Sequence, residues 1–169
     1  SLAQLAHPVI GYMGYLNSTR LDLELLLTMA RARPDWTFAF VGPATHPRPL
    51  GDKLPALPNV HVFKPVPYQC LPGVLKAFDV CIIPNRINEH TAGNDPIKLF
   101  DYLATGLPIV ATPTAGTESL AHLIGLAEGA AAFVDAVAEA LRAAGNADAA
   151  LRRLETARVH SWEARYALL

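Results

Sequence analysis

The chain has 169 residues, of which 51% are hydrophobic, with 14 Lys and Arg against 15 Asp and Glu and a formal net charge of -1. That length holds one α/β domain with a real core and is too short for two. The basic residues are scattered, so the charge offers no footprint for a nucleic-acid polymer or an anionic membrane surface, and a small ligand is the expected partner.

Two cysteines, Cys70 and Cys81, form no Cys-x-x-Cys pair and read as reduced thiols of a cytoplasmic protein. No apolar stretch reaches the roughly 18 residues of a membrane span. Residues 1–7 are a short lead without an initiator Met, and the chain reads as a piece of something longer.

In chain order, residues 9–14 form an apolar run ending in glycine, and residues 21–33 place Leu21, Leu25, Ala30 and Ala32 among charges at helical spacing, so a strand feeds a helix. Pro34 and Asp35 stop that helix. Residues 36–41 form a second strand closed by Gly42 and Pro43. The proline-rich stretch 43–58 reads as a loop, 60–63 as a third strand, 71–78 as a helix with Pro72 in its first turn, and 80–84 as a buried strand. Residues 85–95 are polar and read as irregular. A helix is expected over 97–105 with Gly106 past its end, a strand over 108–112, a loop over 114–119 and a last short strand within 122–126. Alanine-rich helices follow at 130–144 and 147–160, and 161–169 is expected to continue as helix.

Alternating strands and helices predict an α/β fold: a Rossmann-like, doubly wound parallel sheet of about six strands with helices on both faces. Such sheets bind ligands outside the carboxyl ends of their strands, where strand order reverses. The loops after Gly14, Phe63, Pro84 and Thr112 are therefore the places to look for chemistry.

The segment 94–108 is the most informative. Asp95 suits a helix N-cap and Pro96 the first helical position, so amides next to Asn94, Asp95, Pro96 and Ile97 would face an anion, with the Lys98 charge beside them. Asp101 lies one turn on, where a carboxylate can accept from two vicinal hydroxyls of a ribose. The plain alternative is a surface Lys98–Asp101 ion pair along an ordinary helix. In the loop after the first strand, Gly14 lets backbone approach a phosphate and Arg20 can fork onto its oxygens. Arg86, Asn88, Glu89 and His90 face the same cleft, and each reads first as a solvated loop residue. His46, His61 and His122 have no metal-ligand spacing, and no hydrolase elbow, P-loop or zinc motif occurs.

Residues 10–14, 31–36, 57–60, 78–84 and 94–108 together resemble the C-terminal domain of group 1 glycosyltransferases, over about residues 8–168. The resemblance implies half of a GT-B fold that binds a nucleoside diphosphate sugar, with UDP or GDP open. The missing N-terminal domain would then supply the acceptor site and any peripheral association with the inner face of the membrane. It implies a retaining hexosyl transfer to a glycan, lipid-linked or other acceptor, without a metal or other cofactor, inactive in the isolated domain. Lys98 and Arg20 would stabilise the leaving group. Gly14, Tyr15, Val66, Asn94, Asp95, Pro96, Ile97, Lys98 and Asp101 would line the donor site, and Glu89 and Gly93 would lie near the sugar.

Three positions depart from that pattern. Asp101 stands where similar enzymes carry a glutamate, and Gly93, eight residues upstream, replaces a second one; Tyr15 replaces an arginine. These departures keep open a silent nucleotide-sugar-binding paralogue, or an epimerase of the same fold. A dehydrogenase lacks its glycine turn here, and a receiver domain its acidic pair.

Overall fold

A computed structural model describes residues 2–44, 57–93 and 97–160. Six strands form one sheet: β1 (Val9–Met13), β2 (Thr37–Val41), β3 (Val60–Phe63), β4 (Val80–Ile83), β5 (Ile109–Ala111) and β6 (Gly125–Leu126). Their order is β3-β2-β1-β4-β5-β6, and every pairing is parallel. β1 and β2 are buried along their whole length, as befits strands covered on both faces, which is why they read as unbroken apolar runs.

The two faces have separate cores. Ile10, Tyr12, Phe38, Phe40, Val80 and Ile82 pack beneath helices α1 (Leu23–Ala32) and α6 (Ala130–Arg142). Val9, Met13, Ala39, Cys81, Ile83 and Ile109 pack beneath α2 (Leu71–Leu75) and α4 (Lys98–Leu103). Helix α1 starts where the Asp22 carboxylate accepts the Leu25 amide at 3.1 Å. The last helix of the described residues, α7 (Ala147–Val159), buries no residue of its own. Arg153 pins it, donating to the Leu123 and Gly106 carbonyls at 3.0 Å each.

The expected fold class and strand order of events hold, while several boundaries and two loops do not. Residues 85–95, read as irregular, contain the short helix α3 (Glu89–Ala92), and 114–119, read as a loop, contains α5 (Ala115–Glu118). Both open with a reciprocal cap whose third helical residue is threonine rather than the usual Glu or Gln. The Asn88 amide donates to Thr91 Oγ1 at 2.9 Å while the Thr91 amide donates to Asn88 Oδ1 at 3.0 Å. The Thr114 amide likewise donates to Thr117 Oγ1 at 2.8 Å. The helix expected over 97–105 is shorter, Lys98–Leu103, because Gly106 turns the chain in the left-handed region at φ 73°. That expected over 71–78 stops at Leu75, and the last strand shrinks to two residues. Most of the loop 43–58 and the tail 161–169 lie outside the described residues.

Gly11 lies in mid-strand because the Phe78 ring occupies the space of a side chain: a Cβ there would fall 2.1 Å from ring carbons. Phe78 is itself buried, so the ring has nowhere to retreat. Gly11→Ala is expected to destabilise the chain by about 1–3 kcal/mol, as overpacking does, read as a lower urea midpoint with unchanged slope; Phe78→Leu in the same chain should restore part of the loss.

Candidate functional site

Strand order reverses between β1 and β4, since β1 pairs with β2 on one side and β4 on the other. At the carboxyl end of β1 the chain passes through Gly14, whose φ is 143°, and at the end of β2 through Gly42, with φ 149°. A Cβ on Gly42 would fall 2.0 Å from the Gly14 carbonyl oxygen, so the two strand ends interlock only as glycines. The Gly14 amide donates to the Val41 carbonyl at 2.9 Å.

Helix α4 delivers two polar side chains to this edge. Leu99, Tyr102 and Leu103 are buried in the core, which turns Lys98 and Asp101 to the half-buried rim one turn apart. The helix is fixed to β1 by the Tyr102 hydroxyl, which accepts the Met13 amide at 2.7 Å and faces the Met13 carbonyl at 3.4 Å.

Lys98 Nζ donates to the Tyr12 hydroxyl at 2.7 Å and lies 4.5 Å from the centre of the Tyr12 ring. A Cβ on Gly14 would stand 2.8 Å from Nζ, so the missing side chain is what lets the ammonium lie against the strand end. The Tyr12 hydroxyl passes its own proton towards the Tyr15 carbonyl at 3.3 Å. Burial pushes the Tyr12 phenol well above its usual range, with Arg20 pulling it down, so the oxygen stays protonated and can accept from lysine. Burial and then the Arg20 charge bring the Lys98 ammonium down to about 8, opposed by Asp101.

Asp101 faces elsewhere. Burial raises its carboxyl, while a hydrogen bond from Tyr68 and the Lys98 charge lower it. No Lys98–Asp101 ion pair forms among the described residues. The surface-pair alternative is therefore not what the spacing builds: the ammonium goes to Tyr12 and the carboxylate to Tyr68, two poles of one crevice.

The other expected residues are placed as follows. Arg20 is exposed and acts on Lys98 and Tyr12 through its charge. Tyr15 is 59% and Ile97 75% exposed, both at this edge. Val66 packs partly buried against the core beneath α2 and α4. Glu89 opens α3 exposed, and Gly93 follows it with open space where a Cβ would be; Glu89 is hydrogen-bonded to neither Lys98 nor Asp101. Asn94, Asp95 and Pro96 lie outside the described residues, and with them the expected helix cap. Within the described residues Ile97 occupies the cap position and makes no side-chain cap bond.

The residues missed by sequence reasoning are Tyr12, Tyr68 and Tyr102. Tyr12 looked like one more apolar strand residue and Tyr102 like part of a helix stripe. For Tyr12 and Tyr102 the one available signal was a large amphipathic ring among apolar neighbours, where a buried hydroxyl needs a partner; Tyr68, 72% exposed, carried no such signal. Among the described residues no group of three His, Cys, Asp or Glu side chains could hold a metal ion, and no helix is long and apolar enough to cross a membrane.

The fold is that of known glycosyl-transferring enzymes. Sucrose-phosphate synthase of Thermosynechococcus elongatus superposes with a TM-score of 0.72 at 18% identity, over 96% of this chain and 43% of that one. Anabaena HepE in complex with UDP superposes with a TM-score of 0.69 at 16% identity, over 89% of this chain and 43% of that one. HepE in complex with UDP-glucose gives 0.61 at 15% identity, over 93% and 48%. In sequence, the chain is 33% identical over 113 residues to TuaH of Bacillus subtilis (strain 168), named as a teichuronic acid biosynthesis glycosyltransferase; the match spans 66% of this chain and 28% of TuaH. The family model of group 1 glycosyl transferases matches residues 7–143. The chain belongs to the group 1 glycosyltransferases, as one Rossmann-like half of a GT-B architecture, and it spans less than half the length of the proteins it resembles.

The free Lys98 ammonium carries a testable sign. Its folded pKa lies below its unfolded value, so the penalty of burying it is fully present below about pH 8 and fades as pH rises towards the unfolded value. Lys98→Met is therefore expected to raise the Tm of the ligand-free chain at pH 7, by a margin that shrinks as the pH of the melt is raised past 8. A margin that grows with pH would contradict the burial.

Proposed function

We propose that the chain binds a nucleoside diphosphate sugar across this carboxyl edge and forms the donor half of a retaining hexosyltransferase that needs no metal ion. The N-terminal domain of a longer protein would complete the acceptor site. The carrying observation is the separation of Lys98 from Asp101: a cation held on a buried phenol and a carboxylate one turn away that does not neutralise it. That arrangement matches the two unlike parts of a nucleoside diphosphate. Its pyrophosphate is anionic and its ribose presents a pair of hydroxyl donors.

In this reading Asp101 accepts from the ribose hydroxyls. It is one methylene shorter than glutamate, and the Tyr68 hydroxyl holds it from the far side. Lys98 and Arg20 face the pyrophosphate, with Gly14 and the Tyr15 backbone beside it. The base lies towards Val66, and the sugar towards Glu89 and Gly93. As the bond from the anomeric carbon to the phosphate oxygen breaks, negative charge grows on the departing diphosphate, and a fixed ammonium and guanidinium meet it without reorganising. The HepE complexes with UDP and UDP-glucose support the reading, because that protein shares this fold.

The test is calorimetric titration of the chain with UDP, GDP and their sugars. One diphosphate is expected to bind, and Lys98→Ala and Asp101→Ala are each expected to weaken it about tenfold or more, the scale of hydrogen bonds to charged groups. Affinity should fall as pH rises through the region around 8, where the free ammonium loses its proton. No sugar transfer is expected from the chain alone. With the full-length protein, transferred sugar supports the proposal, an epimerised donor supports an epimerase, and binding without turnover a silent paralogue. Equal affinity in wild type and both variants would remove the site assignment.

A further inference from the structure

The loop after β4 is tied edge to edge to the loop after β1. Leu21 and Asn85 form an isolated antiparallel bridge. Beside it the Asp22 amide donates to the Pro84 carbonyl at 2.9 Å and the Arg86 amide to the Arg20 carbonyl at 2.7 Å. In an antiparallel bridge successive residues face opposite sides, and residues directly across from each other face the same side. Leu21 is fully buried and Asn85 is 6% exposed. Their neighbours Arg20 and Arg86 are joined across the bridge by that backbone hydrogen bond, and both are exposed.

The backbone that carries Arg86 is held in place. Its carbonyl accepts from the Thr91 hydroxyl, the Asn88 amide donates to Thr91 Oγ1 at 2.9 Å, and the Asn88 side chain donates to the Thr19 carbonyl at 3.4 Å. The two loops are thus tied so that two residues of like charge neighbour each other across the bridge. Neither guanidinium has a carboxylate within ion-pairing distance among the described residues. Arg20 in turn is close enough to Lys98 for its charge to be felt there. Lys98 lies against the end of β1 and the two arginines on the joined loops after β1 and β4, and an anion with several oxygens would turn repulsion among them into attraction. Guanidinium forks suit phosphate oxygens in particular.

We propose that Arg86 is a phosphate-binding residue that, together with Arg20, clamps the distal phosphate of a nucleoside diphosphate; the ligand's identity rests on the function proposed above. Lys98 then serves the crevice side of the same pyrophosphate, and the arginine pair its outer side.

The chain with Arg86→Ala or Arg86→Gln is titrated with UDP, GDP, UMP, GMP and inorganic pyrophosphate, and its melting is followed with and without each. Arg86→Ala is expected to weaken the diphosphate that wild type binds about tenfold and to leave the matching monophosphate unchanged. The Tm of the free chain should stay level or rise, because a repulsion has been removed. Unchanged diphosphate affinity overturns the proposal. So does a fall in free-chain Tm in both variants with equal weakening of mono- and diphosphate, which marks a structural arginine. If wild type binds pyrophosphate through Arg86 but no nucleoside diphosphate, the clamp stands and the proposed function fails; if it binds neither, both fail.

Discussion

A lysine ammonium resting on a buried phenol at the reversal point of the sheet is the constraint around which the crevice is built. Burial in this place costs the charged form of Lys98, and the nearby Arg20 costs it more. The ammonium is kept there by one acceptor oxygen, by the face of the same ring and by the absence of a side chain on Gly14. Tyr102 then holds the helix that carries Lys98 against the strand that carries Tyr12. Moving any of these would release the lysine to solvent or to Asp101, and the crevice would lose its positive pole.

The fold supplies the rest cheaply. A parallel sheet whose order reverses between β1 and β4 leaves a gap between loops at that point, and two glycines in the left-handed region let the ends of β1 and β2 close up beneath it. The unlike fates of Lys98 and Asp101 follow from rotation about one short helix. Three buried residues fix its roll, and the two polar ones are carried to separate phenols.

Much of this was legible before any coordinates. The β1, β2, β3, β4 and β5 runs and the doubly wound order follow from apolar stretches bounded by glycine and proline, and Lys98 and Asp101 stood out by spacing and context. What could not be read was which partner each would choose. A lysine one turn from an aspartate has an obvious local partner, and only the tertiary approach of β1 offers Tyr12 instead. The two short helices were missed because threonine closes their caps where Glu or Gln is the familiar sign. Arg86 looked like an ordinary loop residue, since its place beside Arg20 depends on a bridge between Leu21 and Asn85, far apart in the chain and beyond the reach of any local pattern.

The proposed site also accounts for how a chain of net charge -1 could bind an anion. At physiological ionic strength charges are screened over about 8 Å, so the field on Lys98 comes from near neighbours, Arg20 on one side and Asp101 opposing it, and the proposed patch is completed by Arg86 beside Arg20. A pyrophosphate is small enough to lie wholly within that patch. On that proposal, cations gathered within an overall balanced chain favour a small, doubly charged ligand. The buried position of one cation sharpens the choice, because only a ligand that brings an oxygen down to Gly14 can reach it.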